Sequence, residues 1–265
     1  MRHRLLRLNP GNPQCLGFEN NPEFTADAVI LACGGGSWPR TGSDGRWLGI
    51  MECLGIHVNP LAAANCGWEH DWPDAVLLAA EGRPLKNLHV TAGGRTVVGE
   101  LLVTRYGLEG GAIYQLGSEL RDGKNPEIRI DFKPTFTHRE LVDKMQSVRS
   151  GFVQEAARRW RLSAAVQAIL TTQQYPDIET LARATKSFPV ALTKPRPLDE
   201  AISSAGGVSW NEIDPQLMLK KAPGIFVAGE MIDWEAPTGG YLMQGCFATG
   251  TCAATSAIAW LGSAH

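Results

Sequence analysis

The chain of 265 residues lacks the spacings that announce metal and nucleophile chemistry. Its six cysteines (Cys15, Cys33, Cys53, Cys66, Cys246 and Cys252) form no C-x-x-C and no His-paired spacing. They read as small buried hydrophobes in a reducing cytosol, which makes a cytoplasmic protein the expectation. The six histidines (His3, His57, His70, His89, His138 and His265) give no metal spacing, so no metal site is expected. Neither G-x-S-x-G nor H-E-x-x-H occurs, and no catalytic residue is assigned from sequence. No run of 18 or more strongly apolar residues is present; the charge-free segment after Glu235 is rich in Gly, Thr and Ser and reads as a buried core helix. Met1-Arg2-His3-Arg4 is basic but no apolar h-region follows, so no signal peptide is expected. A net charge of −2 gives no global electrostatic argument for nucleic acid or an anionic membrane.

A hydrophobic content of 44% and a charged content of 20% suit a soluble chain with a sizeable core. The length exceeds that of a usual single domain, so two domains, or one with an insertion, are expected. Residues 1–24 suggest a hairpin around Asn9-Pro10-Gly11-Asn12-Pro13. Asp27 then opens the apolar run Ala28–Cys33, the pattern of a central parallel strand. Arg46–Leu54 reads as a short helix closed by Gly55, and Ile56–Val58 as a returning strand. Between 61 and 135, β-like runs recur at Ala75–Ala80, Leu85–Thr91, Thr96–Thr104 and Glu127–Phe132, with a turn at Ala92-Gly93-Gly94-Arg95. A glycine-rich tip, Thr104–Gly111, precedes a short helix over Ala112–Glu119.

Residues 137–187 read as helical, starting from a capping box at Thr137 and Glu140. From Thr137 to Arg196 ten Lys or Arg stand against five Asp or Glu. This local excess reads as a solvated surface or as a face for an anionic partner such as RNA. Ile202–Trp210 suggests two short strands around Gly206-Gly207, and Gly224–Ala228 a buried strand. Thr238 stands as an expected N-cap for a long helix beginning near Tyr241.

Three groups could meet a ligand. Gly34-Gly35-Gly36 ends a strand without forming G-x-G-x-x-G, so it reads as close backbone approach or as a tight turn. Gly229-Glu230 places a carboxylate at a strand end, where it could accept from ribose or ribityl hydroxyls or cap a turn, as could Asp233. Gly239 and Gly240 bring bare N–H groups to a helix start, either to stabilise negative charge or for packing. Arg105 and Tyr106 at the glycine-rich tip are candidate substrate contacts, while His70-Asp71 reads as surface loop rather than as an acid–base pair.

The stretches ADAVILACGGGSWPRTGSDG, SSAGGVSWNEID and PGIFVAGEMIDWEAPTGGYLMQG, with the connecting GELLVTRYGLEGGAIYQLGSELR, resemble the second half of the YhiN/BaiN/RdsA-type NAD(P)/FAD-dependent flavoproteins. The resemblance implies an α/β, FAD-binding Rossmann-like fold of the two-dinucleotide-binding-domain type. Residues 1–60 and 195–265 would form its two parts around an inserted domain, 61–194, made of a β unit (61–135) and a helical unit (136–194). It implies FAD as cofactor, with NAD(P)H as a candidate electron donor, and hydride chemistry on a small-molecule or RNA substrate bearing an activated C=C bond. By position, Gly34, Gly35, Thr41 and Gly42 would lie near the adenine-dinucleotide side or the flavin. Gly229, Glu230 and Asp233 would lie near the ribityl–pyrophosphate part, and Gly239, Gly240, Tyr241, Leu242, Met243 and Gln244 would line the isoalloxazine. The chain departs from the family at Thr104-Arg105, Glu109-Gly110-Gly111 and Leu242-Met243-Gln244, so the family's substrates do not transfer. No G-x-G-x-x-G unit precedes Ala26. The expectation is therefore an N-terminally incomplete fold that alone binds FAD weakly or not at all, with RNA binding through the basic helices, or an inert truncation, as the alternatives.

Overall fold

The computed structural model describes residues 4–20 and 23–263. The basic start Met1-Arg2-His3 and the last histidine, His265, lie outside the described residues. The chain divides into two compact units, one of residues 1–64 with 197–265 and one of residues 65–196.

In the first unit, strands Leu5–Asn9, Gln14–Phe18 and Phe24–Ala26 form an antiparallel meander. A second small sheet pairs Val29–Leu31 in parallel with Ile225–Val227. Val29 N–H to Gly224 O and Ala228 N–H to Leu31 O, both 2.9 Å, carry its ladder past either end. A third pairs Val58–Ala64 with Ser203–Val208, antiparallel. The buried Gln14 amide donates to Pro223 O at 3.0 Å and so ties the meander to the entry of the Ile225–Val227 strand. The short helix Leu48–Cys53 buries Ile50 and Met51, and Gly55 beyond it takes φ +65°.

Several expectations are corrected here. The strand at 28–33 is only three residues long and buries Val29 and Leu31 while Ile30 is 41% exposed, so it is covered on one face rather than both. Ser203–Val208 is one bulged strand and not two, because positive φ at Gly206 and Gly207 absorbs the irregularity without breaking the pairing. The long helix runs Tyr241–Ser263, but it is not a buried core helix: Ala253 and Ala257 are buried, whereas Tyr241, Met243, Phe247 and Ile258 are exposed. Small residues let one stripe of it seat closely, and nothing among the described residues covers the rest. The residue before its first turn is Gly240, whose carbonyl accepts from Gln244 N–H at 3.0 Å, so Thr238 is two positions too early to be the N-cap. Among the described residues no helix is long and apolar enough to cross a membrane.

The second unit holds a six-stranded antiparallel sheet in the order Phe188–Ala191, Glu127–Asp131, Pro84–Ala92, Arg95–Thr104, Gly107–Glu109, Trp68–Glu69. Gly93 and Gly94, both at positive φ, make the two-residue hairpin turn between Ala92 and Arg95. Residues 75–80 belong to a helix, Asp74–Ala80, rather than a strand: Pro73 and Asp74 start it, and Val76 and Ala80 face the core. The short helix expected over Ala112–Glu119 is two, Gly111–Gln115 and Gly117–Asp122. Helices Phe152–Arg159, Ala164–Thr171 and Ile178–Lys186 share one hydrophobic core with the sheet, centred on Leu101, Ile128, Leu141, Trp160 and Leu181.

The helix His138–Asp143 begins with the expected capping box. Glu140 N–H donates to the Thr137 hydroxyl at 3.2 Å, and Thr137 N–H donates to the Glu140 carboxylate at 2.7 Å. Thr137→Ala is expected to lower stability by about 1 kcal/mol, read as a lower urea midpoint for this unit. Hydrogen bonds from the Thr137 backbone and hydroxyl hold the Glu140 carboxyl below its usual range. The reciprocal bond therefore stands at neutral pH and is lost as pH falls through that lowered value.

Candidate functional site

The first unit gathers its glycine-bearing loops on one carboxylate. Glu230 sits on the turn Gly229–Met231, directly after the Ile225–Val227 strand. One of its oxygens accepts from Gly35 N–H at 3.1 Å and the other from Ser204 N–H at 2.8 Å. The Ser204 hydroxyl in turn accepts from Gly36 N–H at 2.8 Å. Three segments distant in sequence are thus fastened by charge-assisted or short polar bonds. A Cβ at Gly35 would stand 2.3 Å from the Ser204 hydroxyl and 2.9 Å from the Glu230 carboxyl carbon, so only glycine fits this approach. Gly229, at φ +78°, donates its N–H to the Thr249 hydroxyl at 2.9 Å and so joins the turn to the long helix. Trp234 completes the join: its indole donates to Gly229 O at 3.2 Å, and its ring would meet a Cβ on Gly245 at 2.1 Å.

The structure thus brings Gly35, Gly229 and Glu230 together, with Gly34 leading into the cluster. Asp233 accepts from the Asn59 amide, while its own carbonyl accepts from the Trp210 indole at 2.7 Å. Thr41 and Gly42 stand elsewhere, on a loop that lines a cavity with Cys33 and Trp47. Gly239 to Gln244 form the turn and first turn of the long helix, where Tyr241 and Met243 are exposed. A Cβ on Gly240 or on Gly42 would meet nothing within 4 Å, so both backbones face open space. Burial pushes the Cys33 and Cys246 thiols up, which keeps both protonated at neutral pH and poor as nucleophiles.

Ser204, Thr249 and Trp234 are the residues that sequence reasoning missed. A serine pair and a helical threonine carry no local signal of a partner far along the chain. The Gly-Cys step at 245–246, just after the glycine-pair motif, was the one trace of a ring packed on the helix.

The residues singled out in the second unit are engaged structurally. The Tyr106 hydroxyl donates to the Glu109 carboxylate, and the Arg196 guanidinium lies 4.6 Å over the Tyr106 ring while donating to Glu69 at 2.9 Å. Burial, then the Glu109 partner, raises the Tyr106 phenol well above its ordinary value. Arg105 is exposed and pairs with Glu81 at 3.2 Å. His70 hydrogen-bonds Ala191 O at 2.7 Å and packs edge-on to Trp72 at 4.2 Å, a pin between strands. Part of the basic helical stretch is ion-paired: Arg158 and Arg159 pair with Glu155, Lys186 with Asp131, and Lys194 and Arg196 with Glu69. Two of those acids, Asp131 and Glu69, lie outside the stretch, so folding offsets two of the five excess charges that the linear count shows.

Comparison with known proteins adds the lineage. The chain is 28% identical over 261 residues to a 3-dehydro-bile acid delta(4,6)-reductase from Clostridium scindens, covering 88% of this chain. It is 25% identical over 259 residues to a ribosomal RNA dihydrouridine synthase from Escherichia coli, covering 91% of this chain. The match spans 63% of the length of each relative. The model of the HI0933-like protein Rossmann domain matches residues 3–256, nearly the whole chain. With its parallel strand pair, its Glu230-fastened glycine loops and this match, the chain belongs to the HI0933-like family and its fold is of the Rossmann type.

Proposed function

We propose that this chain carries the flavin-ring part of an FAD site in an oxidoreductase that reduces an activated C=C bond of a small molecule, with NAD(P)H as electron donor. The observation that carries the reading is the Glu230 carboxylate, which fastens Gly35 and Ser204 beside the turn at Gly229. Family membership supports it, as does the reductase named among the relatives. The residues present fit such a cofactor. The Ser37 and Ser43 hydroxyls on the glycine loop are buried without a partner, and the backbones of Gly42 and Gly240 face open space.

In this reading Gly34, Gly35, Thr41 and Gly42 approach the dinucleotide. Glu230 keeps lone pairs beyond the two in use and accepts from the ribityl chain beside Asp233 and Gly229. Gly239, Gly240 and the helix start through Tyr241, Leu242, Met243 and Gln244 lie along the pyrimidine edge of the ring, where N–H groups and the helix dipole favour negative charge. Bound flavin supplies the hydride chemistry, so the protein's share is orientation and electrostatics. The reductase named among the relatives supports a small molecule over RNA as substrate in this reading, and Asp131 and Glu69 offset part of the helices' positive charge.

The test is FAD titration followed by flavin absorbance, on the chain alone and on the chain supplied with an N-terminal β-α-β unit carrying G-x-G-x-x-G. Weak or no binding is expected of the chain alone, and a yellow, stoichiometric complex of the extended protein. An extended, folded protein that stays colourless would overturn the reading. Stoichiometric FAD on the chain alone would remove the need for the added unit.

A further inference from the structure

A cavity of about 270 Å³ lies within unit 65–196, where the strand Pro84–Ala92 passes the segment after Glu127–Asp131 and the start of the helix Ala164–Thr171. Three cations line it, Lys86, Lys133 and Arg161, and no acidic residue does. The strand bulges between Leu85 and Leu88, and the broken alternation lets Lys86 line the same cavity as those two buried leucines. Lys133 Nζ donates to Arg161 O at 2.9 Å, which holds the ammonium at the arginine and leaves it two further N–H donors. Asp131, close by in sequence, is already engaged: one oxygen accepts from Lys133 N–H at 2.8 Å and the other pairs with Lys186 at 2.6 Å. Among the described residues neither Lys86 nor Arg161 has an acidic partner.

The second observation is the backbone of Arg161. It follows the helix Phe152–Arg159 and its C-cap Trp160 with φ +54°, and Leu162 N–H closes the helix end on Ala157 O at 2.9 Å. A helix end of this form favours glycine there, because a Cβ strains the left-handed conformation. A long cationic side chain occupies the position instead, and it joins two ammonium groups at one cavity. Burial, and then the Arg161 charge, hold the Lys133 ammonium below its ordinary value, the mark of like charges brought together. Ser163, which also lines the cavity, caps the next helix, whose positive end adds to the same sign. An anion among the three cations turns their repulsion into attraction.

The rest of the wall is apolar, with Leu88, Phe132 and Val166 all buried. A monocarboxylate offsets one charge of the three, and a nucleic-acid phosphodiester likewise carries one per phosphate. A phosphate monoester carries about −1.5 to −2 at neutral pH on three acceptor oxygens. Inorganic phosphate has the charge but nothing to set against the apolar wall. About 150 Å³ encloses benzene, so this volume takes a phosphoryl group with one ring or a short chain, and it is too small for a dinucleotide. We propose that this cavity binds a small organic phosphate monoester, with Lys86, Lys133 and Arg161 around the dianion and the organic group against Leu88, Phe132 and Val166. The site uses no residue of the Glu230 cluster and is tested without FAD, so its failure and that of the flavin reading are separate results.

The experiment is calorimetric titration of the full chain, in phosphate-free buffer, with phenyl phosphate, inorganic phosphate and phenol. Phenyl phosphate is expected to bind saturably with a Kd below about 1 mM, and the other two at least roughly tenfold more weakly because each lacks one half of the recognition. Arg161→Gly, at an exposed position, is expected to weaken phenyl phosphate binding roughly tenfold while raising the thermal unfolding midpoint, since glycine suits the left-handed backbone. A merely structural arginine would not give that opposition. Lys86→Ala is expected to weaken binding roughly tenfold with the midpoint unchanged. No saturable phenyl phosphate binding below about 1 mM, inorganic phosphate binding as tightly, or Arg161→Gly leaving the affinity unchanged would overturn the proposal. An oligouridylate that displaces phenyl phosphate at lower concentration would also overturn it, by assigning the cations to a nucleic-acid backbone.

Discussion

Gly206→Ala is expected to destabilise the unit formed by residues 1–64 and 197–265 by about 4 kcal/mol. Gly206 lies at the bulge where the pairing of Ser203–Val208 with Val58–Ala64 shifts register. Its φ is +85°, and a Cβ there would stand 2.2 Å from Pro60 O and 2.9 Å from Asn59 O. Both are backbone atoms of the paired strand, so no side chain can move aside. The left-handed conformation costs a non-glycine residue about 1–2 kcal/mol. Forcing the strands apart adds about 1–3 kcal/mol or more. Against a typical total of about 5–15 kcal/mol, a loss near 4 takes between about a quarter and most of this unit's stability. Urea unfolding monitored by tryptophan fluorescence checks it, and a change below about 1 kcal/mol would contradict the geometry.

The second large effect is expected at Glu230. Truncation to alanine leaves Gly35 N–H and Ser204 N–H without their acceptor. Hydrogen bonds to a charged group contribute about 1.5–3 kcal/mol each, so the pair together is worth on the order of 3 kcal/mol once solvent access is allowed for. Glu230→Gln separates charge from geometry. Its carbonyl can serve one of the two N–H groups, while its amide presents a donor to the other. An intermediate loss is expected, about half that of alanine. Hydrogen exchange reads the mechanism directly, because the amides of Gly35 and Ser204 should lose protection in the alanine variant while those of the 84–104 hairpin do not. Unchanged protection at both amides would show that the carboxylate is not what holds them.

What was legible in the sequence was local. The Thr137–Glu140 box, the Gly93-Gly94 turn and the strand at 225–227 each announce themselves within a few residues. The helices at 152–159, 164–171 and 178–186 do so through their periodicity. Residues 75–80 misled because Ala, Val and Leu serve either period in so short a run, and Pro73 and Asp74 decided it. Strand Phe188–Ala191 was hidden because it joins the sheet beside Glu127–Asp131, across the helices. Lack of charge makes the long helix look buried, yet lack of charge says nothing about what is there to cover it. At the candidate site, Gly35 and Glu230 could each be picked out, but nothing in either neighbourhood says that they bond to each other. The cavity at Arg161 is assembled from a strand bulge, a loop and a helix end, and its cluster of like charge exists only in three dimensions.

The bond between Gly35 and Glu230 spans 195 residues, which has a consequence for the order of events during synthesis. Neither the parallel strand pair nor the Glu230 fastening can form until residues 225–230 have left the ribosome. Unit 65–196 meets its own partners earlier, and its ends are joined where Arg196 N–H donates to Gly67 O at 2.8 Å. Once that unit has folded, the chain between those two residues no longer counts as open loop, and the closure entropy of the site falls accordingly. Slowing the folding of unit 65–196 is therefore expected to delay the appearance of the glycine cluster more than it weakens it.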